Sequence, residues 1–566
     1  MKKSSIRRVI QGLSFTAFLV LFGYTVYPHA GRFPVSFFTR IDPFVAVTVS
    51  IATRTVIWGM AISLVVLLSS FIFGRGFCGY VCPLGIMQDI VRRISERKGK
   101  SSGDKSLVKL RGLKYIILIA CIAAAVFGFS LIYFTSPASI ATRFFTMIVF
   151  PGVTAAANTA IDFLNFILGK ADIYALSRLS FDQYVFTSLF SSLLLFLLVF
   201  IPVIFVSRRF WCRYVCPTGA LLGLLSRFSI YKYKIDKGKC KSCGLCSDVC
   251  PMDAIDTEAQ RISVHECIMC GLCTDVCNLE VISLTTDKTT SSGPDFSGRR
   301  GFIGGVTAGI ALGVTGSFSV GRKKDVSGRL IRPPGSVPEF EFNAQCIRCG
   351  ECIKVCKTNG LQPLSFEKGV SGLWTPVLVP VNGPCEEKCN MCGQVCPSSA
   401  IRNLSLEEKS FVKMGTAVLD RSRCIAWEQG RLCLVCDEVC PYDAIDFAVV
   451  EDVHGMLRRP FVDEEKCVGC GQCEYSCPVL DKSAIEVFNF GEERKSQGSY
   501  MTEKKKKLRE IEGTGELDYP NPSDMKRSSG ESREYDGYPD KSPGDTSSGD
   551  SQDRGEEDLP PGFLAG

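Results

Sequence analysis

The feature that most restricts this chain is a four-cysteine interval that returns six times. Of its 29 cysteines, 24 fall into six groups of four, mostly spaced C-x-x-C-x-x-C-x-x-x-C. A disulfide scaffold has no reason to repeat one interval. A zinc knuckle usually separates two cysteine pairs by a longer loop instead of running three thiols together. Three thiols at intervals of three, with a fourth beyond, form the ligand run of a [4Fe–4S] cluster in two-cluster ferredoxins. The spacing therefore predicts six [4Fe–4S] clusters.

Two groups stand close together: Cys240, Cys243, Cys246 and Cys250, then Cys267, Cys270, Cys273 and Cys277. In two-cluster ferredoxins the fourth cysteine of each run ligates the other cluster. Here that gives one set of Cys240, Cys243, Cys246 and Cys277, and another of Cys267, Cys270, Cys273 and Cys250. Four groups follow: Cys346, Cys349, Cys352, Cys356; Cys385, Cys389, Cys392, Cys396; Cys424, Cys433, Cys436, Cys440; and Cys467, Cys470, Cys473, Cys477. Their fourth ligands pair in one of two ways. A nested order joins the first group to the fourth and the second to the third; a sequential order joins first to second and third to fourth. Proline after Cys250, Cys396 and Cys440 fixes the turn beyond the ligand, and the Ala-Ile that follows supplies apolar cover.

Only three histidines accompany these thiols, His29, His265 and His454. None lies within an apolar stretch, and no C-x-x-C-H occurs, so neither a membrane-buried b-type haem nor a c-type haem is expected. Four stretches have the length and apolarity of bilayer spans: Val9–Tyr27, Val56–Phe73, Leu113–Phe134 and Val185–Val206. Lys2, Lys3, Arg7, Arg8, Arg75, Arg92, Arg93, Arg97, Lys98, Arg208, Arg209 and Arg213 flank them asymmetrically. The positive-inside rule then puts both ends of this unit, and the loop between its second and third spans, in the cytoplasm. The net charge of +7 reads as membrane orientation and not as nucleic-acid binding. The two outer segments, 31–54 and 136–181, are rich in Phe, Pro, Gly and Ala. They read as interfacial or re-entrant pieces over a quinone pocket, or as amphipathic lids at headgroup level. Asp42, Asp162, Asp172 and Asp182 are the candidate proton acceptors near that edge.

Cys78-Gly-Tyr-Val-Cys82-Pro follows the second span and Cys212-Arg-Tyr-Val-Cys216-Pro follows the fourth, so the unit reads as two repeats of a two-span hairpin. With two-fold packing, Cys78, Cys82, Cys212 and Cys216 converge on a further iron–sulphur centre or a redox thiol relay; otherwise they are structural thiols. Cys121, within the third span, reads as a small apolar residue. A Ser/Thr/Gly linker leads to Gly298-Arg299-Arg300-Gly301-Phe302-Ile303 and a weakly apolar run, which reads as a twin-arginine export signal or a fifth span. The expected organisation is 1–230 membrane domain, 231–285 two-cluster module, 286–320 linker with signal or span, 321–494 four-cluster module and 495–566 disordered tail. The fold class is multi-domain: an α-helical membrane bundle plus two small α+β ferredoxin-like modules.

With its four spans, paired C-x-x-x-C-P motifs and two-cluster motif, residues 1–285 resemble NapH, the membrane quinol dehydrogenase subunit of periplasmic nitrate reductase systems. Residues 297–490, a twin-arginine motif followed by four cluster motifs, resemble the exported ferredoxin NapG. The resemblance implies a fusion in the cytoplasmic membrane, with the first module cytoplasmic and the second periplasmic. It implies menaquinol or ubiquinol as substrate and a periplasmic cytochrome c or reductase as partner. The alternative is an electron-donating maturation or reactivation factor for a periplasmic metalloenzyme. A structural or zinc-storage protein is a third reading.

Overall fold

The computed structural model describes residues 3–27, 36–97, 110–169, 186, 189–286, 298–322, 328–366, 369, 371–452 and 455–503. Residues 287–297 of the expected linker, the chain from 504 onward, Asp172 and Asp182 lie outside those residues.

Leu-, Val-, Ile-, Phe- and Ala-rich runs form a helical domain. It comprises α1 (Lys3–Tyr24), α2 (Pro43–Thr53), α3 (Ser63–Phe73), α4 (Pro83–Arg97), α5 (Leu113–Val126), α6 (Pro137–Phe144), α7 (Phe150–Gly169), α8 (Leu189–Phe205) and α9 (Pro217–Leu225), with α10 (Gly298–Arg322) arriving later in the chain. Proline opens α2, α4, α6 and α9, where its missing N–H costs nothing and its φ is already helical. Asp42 and Ser136 cap α2 and α6 through bonds from Phe44 N and Ser139 N.

The segment from 137 onward departs from expectation. A π turn over Phe145–Val149 joins α6 to α7, so 137–169 is helical throughout and not a string of interfacial pieces. Pro151 explains the turn: it cannot donate to the carbonyl four residues back, and a wider turn absorbs the misfit. By length and composition, Ser4–Tyr24 and Pro137–Phe166 are long and apolar enough to cross a membrane. Helices α3, α5 and α8, with 11, 14 and 17 residues, are shorter than the spans expected there.

Helix α10 runs beside α5 in the same direction. A Cβ added to Gly305 would stand 3.1 Å from Ile116 O, one on Gly309 2.6 Å from Ala120 O, and one on Gly316 2.6 Å from the Phe129 ring. Only residues without side chains allow helices so close.

The first module contains β1 (Lys232–Ile235), β2 (Ile255–Asp256), β3 (Arg261–Ile262) and β4 (Ile282–Thr285), paired antiparallel as β1–β4 and β2–β3. The second contains β5 (Leu361–Pro363), β6 (Pro376–Leu378), β7 (Thr416–Leu419), β8 (Ile445–Asp452), β9 (Gly455–Val462) and β10 (Ile485–Phe488), paired antiparallel as β5–β6, β7–β10 and β8–β9. With such short strands, thiols make up part of the core: Cys467, Cys470 and Cys473 pack with Ile445, Val487 and Tyr500. Residues 495–503 belong to this module, which corrects a disordered tail starting at 495. Tyr500 is fully buried, its hydroxyl accepts from Lys495 N at 2.9 Å, and its own N–H donates to Glu408 Oε1 at 3.1 Å. One aromatic residue anchors an otherwise polar run.

The two modules dock at opposite ends of the helical domain. At the start of α1, Ser4 N donates to Asp275 of the first module at 2.7 Å. At its end, Lys354 of the second module donates to Phe22 O and lies 3.6 Å above the Phe22 ring. At 1.5 Å per residue, the 22 residues of α1 hold these ends about 33 Å apart. Helix α5 repeats the pattern: Lys114 near its start pairs with Glu266, and Gly128 just beyond its end meets the Phe340 ring.

Candidate metal centres

Thiols gather around small apolar cavities. Cys250, Cys267, Cys270 and Cys273 line one of them, the set expected for the first module. Cys240, Cys246 and Cys277 share the neighbouring apolar cluster with Tyr233 and Ile235. In the second module Cys346, Cys349 and Cys352 line a cavity with Cys396; Cys440 joins Cys467, Cys470 and Cys473; and Cys477 joins Cys424, Cys433 and Cys436. Burial, followed by the Cys385, Cys389 and Cys356 charges, pushes the Cys392 thiol well up, which marks the fourth set. The grouping is sequential, not nested. Short links between adjacent motifs bring them together before the longer chain can close.

The donor set fits polynuclear clusters better than single ions. A tetrahedral zinc site at about 2.3 Å per Zn–S bond crowds its sulphurs to about 3.8 Å. Among the described residues, no three Cys, His, Asp or Glu side chains are gathered to hold one metal ion. Backbone N–H groups also aim at sulphur: Ala254 at Cys250 (3.3 Å), Ile401 at Cys396 (3.5 Å), Ala444 at Cys440 (3.4 Å) and Ala417 at Cys467 (3.4 Å). The turn that makes this possible is left-handed. Asp253, Ser399 and Asp443, each three residues beyond the fourth cysteine of its run, have φ of 50°, 58° and 47°.

The C-x-x-x-C-P repeats cross over. Arg75, three residues before Cys78, reaches Cys212 O at 3.4 Å; Arg209, three before Cys212, reaches Cys78 O at 2.9 Å. Each guanidinium lies against the opposite glycine: Arg75 on Gly219 and Arg209 on Gly85. Both charges are buried and paired, Arg75 with Glu266 at 3.0 Å and Arg209 with Asp89 at 2.7 Å. All four thiols are buried. Burial, then the charges of Cys212 and Cys78, pushes both Cys82 and Cys216 well up. Burial takes Cys212 to about 11, against the pull of Arg209. Thiols so disfavoured as thiolates make a poor redox relay unless a metal takes up their charge. Cys216 caps α9 and accepts from Gly219 N at 3.3 Å. Cys78 and Cys212 pack against Cys250, Cys267 and Cys270 of the first module, while Cys82 and Cys216 face the bundle interior.

Between those inner thiols and the second module lies Asp42. It is fully buried, accepts from Ser136 Oγ at 2.8 Å and Thr218 Oγ1 at 3.0 Å, and burial raises its carboxyl against those bonds. Asp162 is exposed. Sequence reasoning missed Glu351: it sits between Cys349 and Cys352, bonds Thr39 Oγ1 at 3.4 Å, and is pushed by burial to about 7 against Arg40 and Lys354. Only docking against the bundle buries it, so the motif carried no signal.

Known protein families match the same cysteine-bearing segments. Models described as 4Fe–4S dicluster domains match residues 232–278 and 429–480, and a 4Fe–4S binding domain matches 343–359. A second 4Fe–4S binding domain matches twice, over 55–101 and 188–236, the two stretches that carry the C-x-x-x-C-P motifs. The methylamine utilization ferredoxin-type protein MauM of Methylophilus methylotrophus is 38% identical over 163 residues, 28% of this chain and 70% of its own length. The ferredoxin-type protein NapG of Escherichia coli is 35% identical over 208 residues, 34% of this chain and 85% of its own length. The chain belongs to the NapG/MauM family of ferredoxin-type proteins. MauM of Paracoccus denitrificans, 33% identical over 197 residues and covered over 86% of its length, is a further relative. As in this family, the chain is an iron–sulphur electron-transfer protein; its helical domain extends beyond the third or so that the family members match.

Proposed function

We propose that this NapG/MauM relative conducts electrons across the cytoplasmic membrane to a metalloenzyme on the side of its second module. The docking of two cysteine-rich modules at opposite ends of one helical domain carries this reading. Bound [4Fe–4S] clusters supply one-electron chemistry at modest reorganisation. The 24 cysteines of the six motifs are their proposed ligands, and Cys78, Cys82, Cys212 and Cys216 hold a further iron–sulphur centre. The chain sets the order. The set with Cys250 abuts Cys78 and Cys212; Cys349 packs with Phe44 and Val45 of α2. Cys385 N bonds Cys470 O at 2.8 Å, joining the two halves of the second module and leaving the Cys424 set farthest out.

A bilayer setting is supported by the apolar outer faces of the helices, where Val65, Leu68, Phe190, Leu198 and Ile303 are exposed. Helix α10 then serves as a fifth span that carries the second module to the periplasmic side. The recipient reading follows from family likeness: electrons delivered to a periplasmic metalloenzyme during maturation or reactivation. Quinol as the source, with a periplasmic cytochrome or reductase as the sink, is a second reading. It is favoured by the buried Asp42, a proton acceptor in an apolar surround.

The test uses proteoliposomes that enclose ferricyanide, with dithionite outside. Enclosed ferricyanide should be reduced only when the chain is present, and the Cys82→Ser/Cys216→Ser variant should abolish that. No reduction above empty vesicles would overturn the conduit. Menaquinol-dependent bleaching of the visible absorption then separates the second reading from the first.

A further inference from the structure

We infer that the first module carries a docking face for a small acidic one-electron carrier protein, a second port into the chain that rests on the conduit proposed above. The set of Cys240, Cys243, Cys246 and Cys277 is the one turned away from the helical domain, since the Cys250 set occupies the contact with Cys78 and Cys212. Cys243 is exposed there, and Leu245 beside it is 45% exposed. Between Lys232 and Asp248 the sequence places five lysines against two aspartates. Lys237, Lys239 and Lys241 are exposed around Cys240, and the Lys239 side chain is 77% exposed. The module also exposes Asp236, Asp248, Asp256, Glu258 and Glu280, but among the described ion pairs only Asp236 meets one of these three lysines. Asp236 approaches Lys239 only at 3.7 Å, and its Oδ1 is taken by Gly238 N at 3.1 Å.

An apolar spot at a terminal redox centre, ringed by lysines, is the complement of an acidic carrier with an exposed cofactor edge. An anionic bilayer is the poorer fit, because the lysines surround the set of thiols that does not touch the helical domain. Each encounter passes one electron: the carrier is oxidised by one equivalent, the chain reduced by one, and no bond or proton changes hands.

The experiment uses the full chain in nanodiscs with reduced flavodoxin as probe. Association should slow as ionic strength rises, and Lys237→Glu/Lys239→Glu/Lys241→Glu should slow it by at least about tenfold at low salt. Carbodiimide coupling should link carrier carboxylates to those three lysines. Visible absorption of the variant equal to that of the parent verifies folding. In proteoliposomes, dithionite-driven transfer to enclosed ferricyanide, unchanged in the variant, separates failure of the port from failure of the conduit. Salt-insensitive association, or coupling confined to other lysines, would overturn the inference. So would a variant that loses only affinity for anionic vesicles while flavodoxin binding persists.

Discussion

Gly309 on α10 offers a sharp test of whether that helix is a lasting part of the fold. An alanine methyl there would stand 2.6 Å from both Ala120 O and Ala123 Cβ, and 2.9 Å from Ala120 Cα. Ordinary contact needs about 3.5–4.0 Å, so the two helices must part by about 1 Å. Overpacking on this scale costs about 1–3 kcal/mol. Alanine also favours the helix over glycine by up to about 1 kcal/mol, which masks part of that cost. Gly304 removes the ambiguity, because a methyl at that position of the same helix meets nothing within 4 Å. G304A gains the helix term alone, so the two variants should differ by about 1–3 kcal/mol. Thermal unfolding in one detergent at one scan rate should place G309A about 2–10 °C below G304A. If α10 were a signal removed after export, the two mature proteins would be identical. A G309A that melts at or above G304A would refute the packing.

Three further outcomes are expected. Iron analysis should show that Cys346→Ser with Cys396→Ser removes about four irons, one cluster, whereas Cys385→Ser with Cys396→Ser removes about eight; equal losses would argue against sequential pairing. Burial alone would raise Glu339, but the Arg332 and Arg494 guanidiniums, each 2.6 Å away, hold it at about 2. A carboxyl depressed on folding stabilises fully above its ordinary value near 4.3 and less as pH falls toward 2. Acid bleaching of the second module should therefore begin at higher pH in Glu339→Gln, followed by visible absorbance. Tyr500→Ala should destabilise the second module by about 3–5 kcal/mol, read as faster proteolysis between 328 and 494, because it empties a fully buried aromatic site.

Much of the site chemistry was legible because a cluster demands thiols at short fixed intervals, and a short interval is visible along the chain. The sets containing Cys240 and Cys267 follow from that interval together with the exchange of fourth ligands in two-cluster ferredoxins. Pairing among the last four groups was not legible, since either order satisfies the same spacing and only the packing of Cys396 beside Cys346 distinguishes them. The repeat of Arg75-x-x-Cys78 and Arg209-x-x-Cys212 was in view, yet the exchange of arginines between repeats required both halves to be folded together. Within segment 136–181 the continuous helix over 137–169 was not legible because Pro, Gly and Phe suggest interruption, while a π turn let one helix absorb Pro151.

What the sequence by itself determined is the ligand chemistry, because the identity and spacing of cysteines are local properties. Where the thiol groups stand relative to one another was decided by tertiary structure. The separation of two modules across α1 and α5, the glycine contact that holds α10, and the burial of Asp42 and Glu351 all arise from contacts between residues far apart in the chain. No local pattern encodes those distances, and they set six cysteine motifs in two modules at opposite ends of one helical domain.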